Sequence, residues 1–162
     1  MLTQLRLKEL FNYDPETGAF ISIYRRRGVK INKRSGYKDI YGYRRLMVDG
    51  ERIFEHRLAW LYVYGEMPDK FVDHINGIRD DNRISNLRIC NLKENSRNSK
   101  KSSRNKSGYK GVSFDSESKK WAATICLNGK NKRLGRFKNI EDAKEAYKIA
   151  SIKHFGEFAR QE

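Results

Sequence analysis

Between residues 99 and 108 the chain reads SKKSSRNKSG, four cations with no acid and no apolar side chain. A segment with nothing to bury cannot join a core, so it reads as a tether between two small units. The expected division is 1–98, a basic linker at 99–106, and 107–162. At 162 residues in total, neither half can be a large enzyme with several layers. Charge follows the same division. Residues 1–98 hold 19 basic and 13 acidic side chains, whereas 99–162 hold 16 and 7. The net charge of +15 raises self-repulsion in the compact state and points to a polyanionic partner. Aromatic residues make up 12% of the chain, too many for a disordered basic tail.

Several classes are excluded on the same grounds. No run of 18 apolar residues is present, which rules out a helical membrane span. The opening MLTQLRLKEL lacks the apolar core of a signal peptide, so a cytoplasmic location is expected. Cys90 and Cys126 form no CxxC, and with His56, His74 and His154 they make a closed structural zinc site improbable. No organic cofactor is expected.

In the first half, Leu2, Leu5, Leu7, Leu10 and Phe11 fall at helical spacing, followed by a turn-rich NYDPETG and a short strand AFISIY. Residues 25–45 contain nine Lys or Arg and the single acid Asp39, and we read them as a phosphate-gripping surface without neutralising partners. Arg25, Arg26 and Arg27 lead that stretch. Asp49-Gly50 divides two alternating runs as a two-residue hairpin turn. HRLAWLYVY reads as a short buried helix stopped by Gly65. A strand ending in Val72-Asp73-His74, a polar loop, a return NLRIC and a helix-like LKENSRNSK follow. The second half predicts three antiparallel strands with a turn at Asn128-Gly129. A helix then runs from an N-cap at Asn139 to a stop at Gly156, its stripe being Ile140, Ala143, Ala146, Tyr147, Ala150 and Ile152 or Phe155. The fold class is therefore α+β.

The chemistry concentrates in VDHINGIRDDNRISNLRICNLKENSRN. Asp73 and His74 are adjacent on a strand, so their side chains leave opposite faces. Asn86 lies twelve residues after His74, and Asn95 nine further on, on a helix. Phosphodiester hydrolysis needs a hard cation on the phosphate and a base for water. Asp73 and Asn95 offer oxygen ligands of the kind Mg²⁺ accepts, and His74 is a natural general base. Asn82 and Asn91 read as turn or cap residues and Asn76-Gly77 as a tight turn. His56, at the start of the buried helix, reads as structural.

The pattern HRLAW…VDHINGIRDDNRISNLR…ENSRN, over about 56–98, resembles the HNH or ββα-metal nucleases, in particular the phage and intron-encoded homing type. The resemblance implies a small ββα-metal core in which Asp73 and Asn95 bind the metal and His74 is the base. Asn86 joins the catalytic set as the residue that braces the loop between the strands. Asn rather than His as the last ligand favours Mg²⁺ or Mn²⁺ over Zn²⁺.

Over 107–159, the GV strand, WAATI, LGRF, the helix with EDAKEAY and the terminal HFGEFA resemble the AP2/ERF DNA-binding domain. That family lays a three-stranded sheet, backed by one helix, in the DNA major groove. The resemblance implies DNA contacts from Lys110, Ser113, Lys119, Thr124, Lys132 and Arg133, while Trp121 could stack on a sugar or fill the core.

The combined expectation is a site-preferring, metal-dependent endonuclease acting on double-stranded DNA as a monomer or weak dimer, nicking one strand per binding event. Two rivals are a non-catalytic sequence-specific DNA-binding regulator and a phage nuclease of low specificity. An intact Asp73-His74…Asn95 set argues against the first, and a dedicated DNA-reading unit against the second.

Overall fold

A computed structural model describes residues 2–24, 32–98, 101–102 and 104–159. The expected contacts of Arg25, Arg26 and Arg27 lie outside these residues, as do Ser99, Lys100 and Ser103 of the linker. The chain separates into two compact units, Met1–Leu92 and Lys93–Glu162. The described residues form four α-helices and several small antiparallel sheets.

The first unit opens with helix α1 (Gln4–Leu10), whose end is capped by Thr3 Oγ1 accepting the Arg6 N–H at 3.2 Å. Leu7 and Leu10 are buried but Leu5 is exposed, so the apolar stripe is narrower than its spacing predicts. The segment read as a turn instead begins with strand β1 (Phe11–Asp14), which pairs with β2 (Ala19–Ser22) around Pro15–Gly18. Alternation decides this. Phe11 and Tyr13 turn inward, and Tyr13 meets Phe20 across the pair at 4.8 Å between ring centroids.

Strands β3 (Tyr37–Lys38), β4 (Arg44–Val48) and β5 (Glu51–Phe54) make a meander. Its β4–β5 turn places Asp49 and Gly50 at φ 46° and 89°, the left-handed pair that a two-residue hairpin requires. Helix α2 (Glu55–Tyr64) follows without a break, ends at Gly65, and buries Leu58, Ala59 and Leu61 against Leu7, Phe20, Leu46 and Leu87. Strands β6 (Phe71–His74) and β7 (Leu87–Cys90) then form the hairpin that carries the candidate site.

The cations at 32–45 correct the sequence reading. Arg44 and Arg34 pair with Glu55, Lys38 with Asp80, and Arg45 with Asp39. Apart from Asp39 these acids lie outside the stretch, so the local excess of positive charge overstated what is left for phosphate.

The second unit starts at Lys93, within helix α3 (Leu92–Arg97). Its sheet has the order β10-β9-β8, formed by β8 (Val112–Asp115), β9 (Lys120–Leu127) and β10 (Lys130–Phe137). Helix α4 (Ile140–Phe155) covers one face, where Val112, Ala123 and Ala143 form the buried centre and Trp121, Leu134, Phe137 and Tyr147 pack around it. Trp121 thus belongs to the core side and meets Phe114 edge-on at 5.1 Å. Asn139 sits at the N-cap position of α4 without a side-chain capping bond, and Ile152 is exposed rather than part of the stripe.

Candidate active site

Antiparallel pairing sets Asp73 opposite Arg88 and His74 opposite Leu87. Both functional side chains are buried, at 7% and 4% exposure, and they point to different surroundings. Asp73 Oδ2 accepts from Arg88 Nε at 3.1 Å and Nη2 at 2.9 Å. His74 Nε2 lies 3.0 Å from Asn82 Oδ1, and its ring has Tyr43 at 6.1 Å and His56 edge-on at 5.2 Å. Burial lowers the His74 pKa, opposed by the Asn82 hydrogen bond and by Asp73, Asp81 and Asp80. A neutral imidazole at neutral pH follows, which is the form that can accept a proton.

His56 is buried beneath this ring, stacked on Phe54 at 5.2 Å. Burial, then the neighbouring His74, lowers its pKa to about 3. Its Nδ1 has no hydrogen-bond partner among the described residues. His56 therefore packs as a neutral aromatic plate under His74 and Tyr43.

The loop joining β6 to β7 is tied together by four side chains, those of Asn76, Asp81, Arg83 and Asn86. Asn86 Oδ1 accepts the Asn76 N–H at 3.0 Å, and Asn86 Nδ2 donates to Asn76 Oδ1 at 3.1 Å and to the Asp81 carbonyl at 2.8 Å. Asn76 Nδ2 donates to Asp81 Oδ2 at 2.7 Å, while Arg83 clamps the same carboxylate. With Arg83 and Asn76 on it, the Asp81 carboxyl is lowered to about 2 despite partial desolvation. Gly77, at φ 67°, closes the tight turn by donating its N–H to the His74 carbonyl at 2.8 Å.

Asn82 corrects the sequence reading. Read as a turn or cap residue, it is wholly buried, with Nδ2 donating to Glu55 Oε2 at 3.2 Å and its carbonyl accepting from Tyr13 Oη at 2.7 Å. Glu55, also at 0% exposure, is held by Arg44 Nε at 2.9 and 3.1 Å from its two oxygens. Sequence reasoning missed Glu55, Arg44 and Arg88. Only the cross-strand position of Arg88 was recoverable, by drawing the β6–β7 register opposite Asp73.

Asn95 stands on α3 in the second unit. In the sheet of that unit, Ser113, Thr124 and Arg133 share the face away from α4, with Arg133 directly opposite Thr124. Lys132 does not belong there, because its partner is the buried Ile125 of the core side. Lys119 sits in the β8–β9 turn at φ 52° rather than on a strand, and Lys110 precedes β8 with Nζ donating to the Arg97 carbonyl at 2.7 Å. The register irregularity between Arg133 and Gly135 sends Leu134 to the core and returns Arg136 to the open face opposite Ala122. Arg136, ion-paired with Asp115 at 2.8 Å, was missed in the sequence because the irregularity shifts the alternation.

Among the described residues no group of three His, Cys, Asp or Glu side chains is placed to hold a metal ion by itself. By residue type, Asp73 offers a carboxylate and Asn95 an amide, oxygen donors of the kind a hard divalent cation accepts. Among the described residues no helix is long and apolar enough to cross a membrane.

An HNH endonuclease family model matches residues 54–97, which takes in Asp73, His74, Asn82, Asn86 and Asn95. Protein 3.8 of Escherichia phage T7 is 33% identical over 106 residues, covering 65% of this chain and 87% of that protein. An uncharacterized HNH endonuclease of Acanthamoeba polyphaga mimivirus is 33% identical over 106 residues, 64% of this chain but only 54% of that protein. No solved structure matches. The chain belongs to the HNH endonuclease family, a class of nuclease enzymes that act on DNA.

Proposed function

We propose that the protein is a homing-type endonuclease that hydrolyses DNA phosphodiester bonds with a single Mg²⁺ or Mn²⁺. The observation that carries the reading is the end of β6, where Asp73 and His74 leave one strand in different directions, each fixed by its own partner, Arg88 or Asn82. His74 stays neutral in its buried setting and takes the proton from the attacking water. Asp73 and Asn95 would hold the cation. What a bound cation supplies is positive charge on the phosphate and the leaving oxygen. Asn86 keeps the loop beside the base in one shape. The open face carrying Ser113, Thr124 and Arg133 supports a second, address-reading role for 107–162. In that role a long DNA should be cut at a few preferred positions. An even spread of cuts would remove the homing assignment.

The metal assignment is tested by titrating Mg²⁺ against cleavage rate. Asn95→Ala should raise the Mg²⁺ concentration for half-maximal rate by at least roughly tenfold, and Asn95→Asp should retain part of the affinity. Asp73→Ala should abolish cleavage while DNA binding survives. An Asn95→Ala enzyme of full activity and unchanged Mg²⁺ dependence would mean that this helix residue is structural.

A further inference from the structure

A buried amide is costly unless it is hydrogen-bonded, and Asn82 has a partner at its side-chain oxygen, its side-chain nitrogen and its carbonyl. The Asn82 backbone is anchored by Tyr13, and Gly18, at φ 69°, packs so closely that a Cβ there would overlap it. Its side chain spans from Glu55 Oε2 at 3.2 Å to His74 Nε2 at 3.0 Å. Glu55 is itself locked by Arg44, with Arg34 Nη2 at 3.7 Å, and lies against Gly36, whose φ of 78° lets the backbone approach the carboxylate. Arg44 reaches the same place from the other side by donating to the Ser35 carbonyl at 2.8 Å.

The direction of this chain selects a histidine nitrogen. A carboxylate flanked by two guanidiniums accepts hydrogen bonds and donates none. Asn82 therefore turns its NH₂ toward Glu55 and its carbonyl oxygen toward His74. An amide oxygen cannot donate, so the His74 Nε2 must carry the proton and Nδ1 the lone pair. We propose that Asn82, oriented by Glu55, is a positioning residue that holds His74 in the Nε2–H tautomer and makes Nδ1 the atom that accepts the proton of the attacking water.

An amide in this place differs from a carboxylate in a useful way. A carboxylate touching the imidazole would strongly favour the charged ring, which cannot accept a proton. The amide fixes ring and tautomer while adding no full charge beside it. The acidic member is kept one residue back, where its arginine partners hold it.

The inference rests on His74 being the general base, and the experiment separates the two. The chain has three histidines, so ¹⁵N spectra of full-length protein at mildly alkaline pH identify His74 as the ring missing from His74→Ala. Wild type should show a protonated Nε2 and an unprotonated Nδ1. Glu55→Gln can donate as well as accept and so releases the orientation of Asn82, and Asn82→Leu removes the acceptor. Both should give mixed or inverted tautomers and lose roughly 10–100-fold in kcat with KM for DNA changed by less than about twofold. If Asn82→Leu does not fold, Glu55→Gln and the wild-type spectrum still decide. A wild-type His74 protonated on Nδ1, or a Glu55→Gln enzyme with native kcat and native tautomer, overturns the proposal. If His74→Ala is inactive in the first of these cases, the base assignment stands and only the relay falls. If His74→Ala cleaves like wild type, the base reading itself has failed.

Discussion

Replacing His74 by Ala is expected to slow single-turnover DNA cleavage by about 10²–10⁴ while leaving affinity for uncut DNA unchanged. The expectation follows from placement. His74 is 4% exposed, its Nε2 is engaged by Asn82, and its ring is bounded by Tyr43 and His56. A side chain so enclosed has little surface for gripping a phosphate backbone, so its loss should be felt in the reaction and not in binding. The ring sits on a hairpin whose loop is separately held by Asn76, Asp81 and Asn86, so the deletion should not collapse the site. A binding measurement on uncut duplex beside the rate measurement makes the distinction. Equal rates for the two proteins would remove His74 from the chemistry, and parallel loss of rate and affinity would make it a structural residue.

Affinity for DNA should fall steeply with salt, by about 10³–10⁵-fold between roughly 50 and 200 mM if some six to ten phosphates are contacted. The net charge of +15 motivates this, and the ion pairs refine where the effect arises. Arg34, Lys38, Arg44 and Arg45 are paired with Glu55, Asp80 and Asp39, which reduces what 32–45 can give to phosphate. Residues 99–162, with 16 cations against 7 acids, should therefore carry the larger part of the slope. Charge-reversing substitutions confined to either half, measured by titration across this salt range, separate the contributions. A nearly flat response would show that the positive charge does not meet a nucleic-acid backbone.

What could be read from the sequence was whatever local chemistry decides. Asp49-Gly50 and Asn128-Gly129 announce hairpins because few other pairs accept left-handed φ at both positions, and the structure places all four there. Gly65 and Gly156 end their helices for related reasons. The Asp73-His74 strand end and the Asn86 loop were visible through residue type and spacing. Asn82 was not, because Asp-Asp-Asn-Arg reads the same whether it is solvated or buried. Its burial is settled by Glu55, 27 positions away, and by Tyr13, 69 positions away. Arg34 and Arg44 misled for the same reason, their acid Glu55 lying beyond the basic stretch. Lys132 was assigned to the wrong face because it neighbours Arg133, and consecutive strand residues point to opposite faces, whereas Arg136 was missed because the irregularity after Arg133 shifts the alternation.

Metal-dependent DNA cleavage by this chain is tested most directly by the fate of a supercoiled plasmid. Incubated with purified full-length protein and Mg²⁺, supercoiled DNA should convert to the nicked circle, with linear product appearing only after a second event. The same mixture with EDTA in excess should leave the plasmid supercoiled, and readdition of Mg²⁺ or Mn²⁺ should restore nicking. Conversion at an equal rate in EDTA, or no conversion with any divalent cation under conditions where the protein binds the plasmid, would contradict the account.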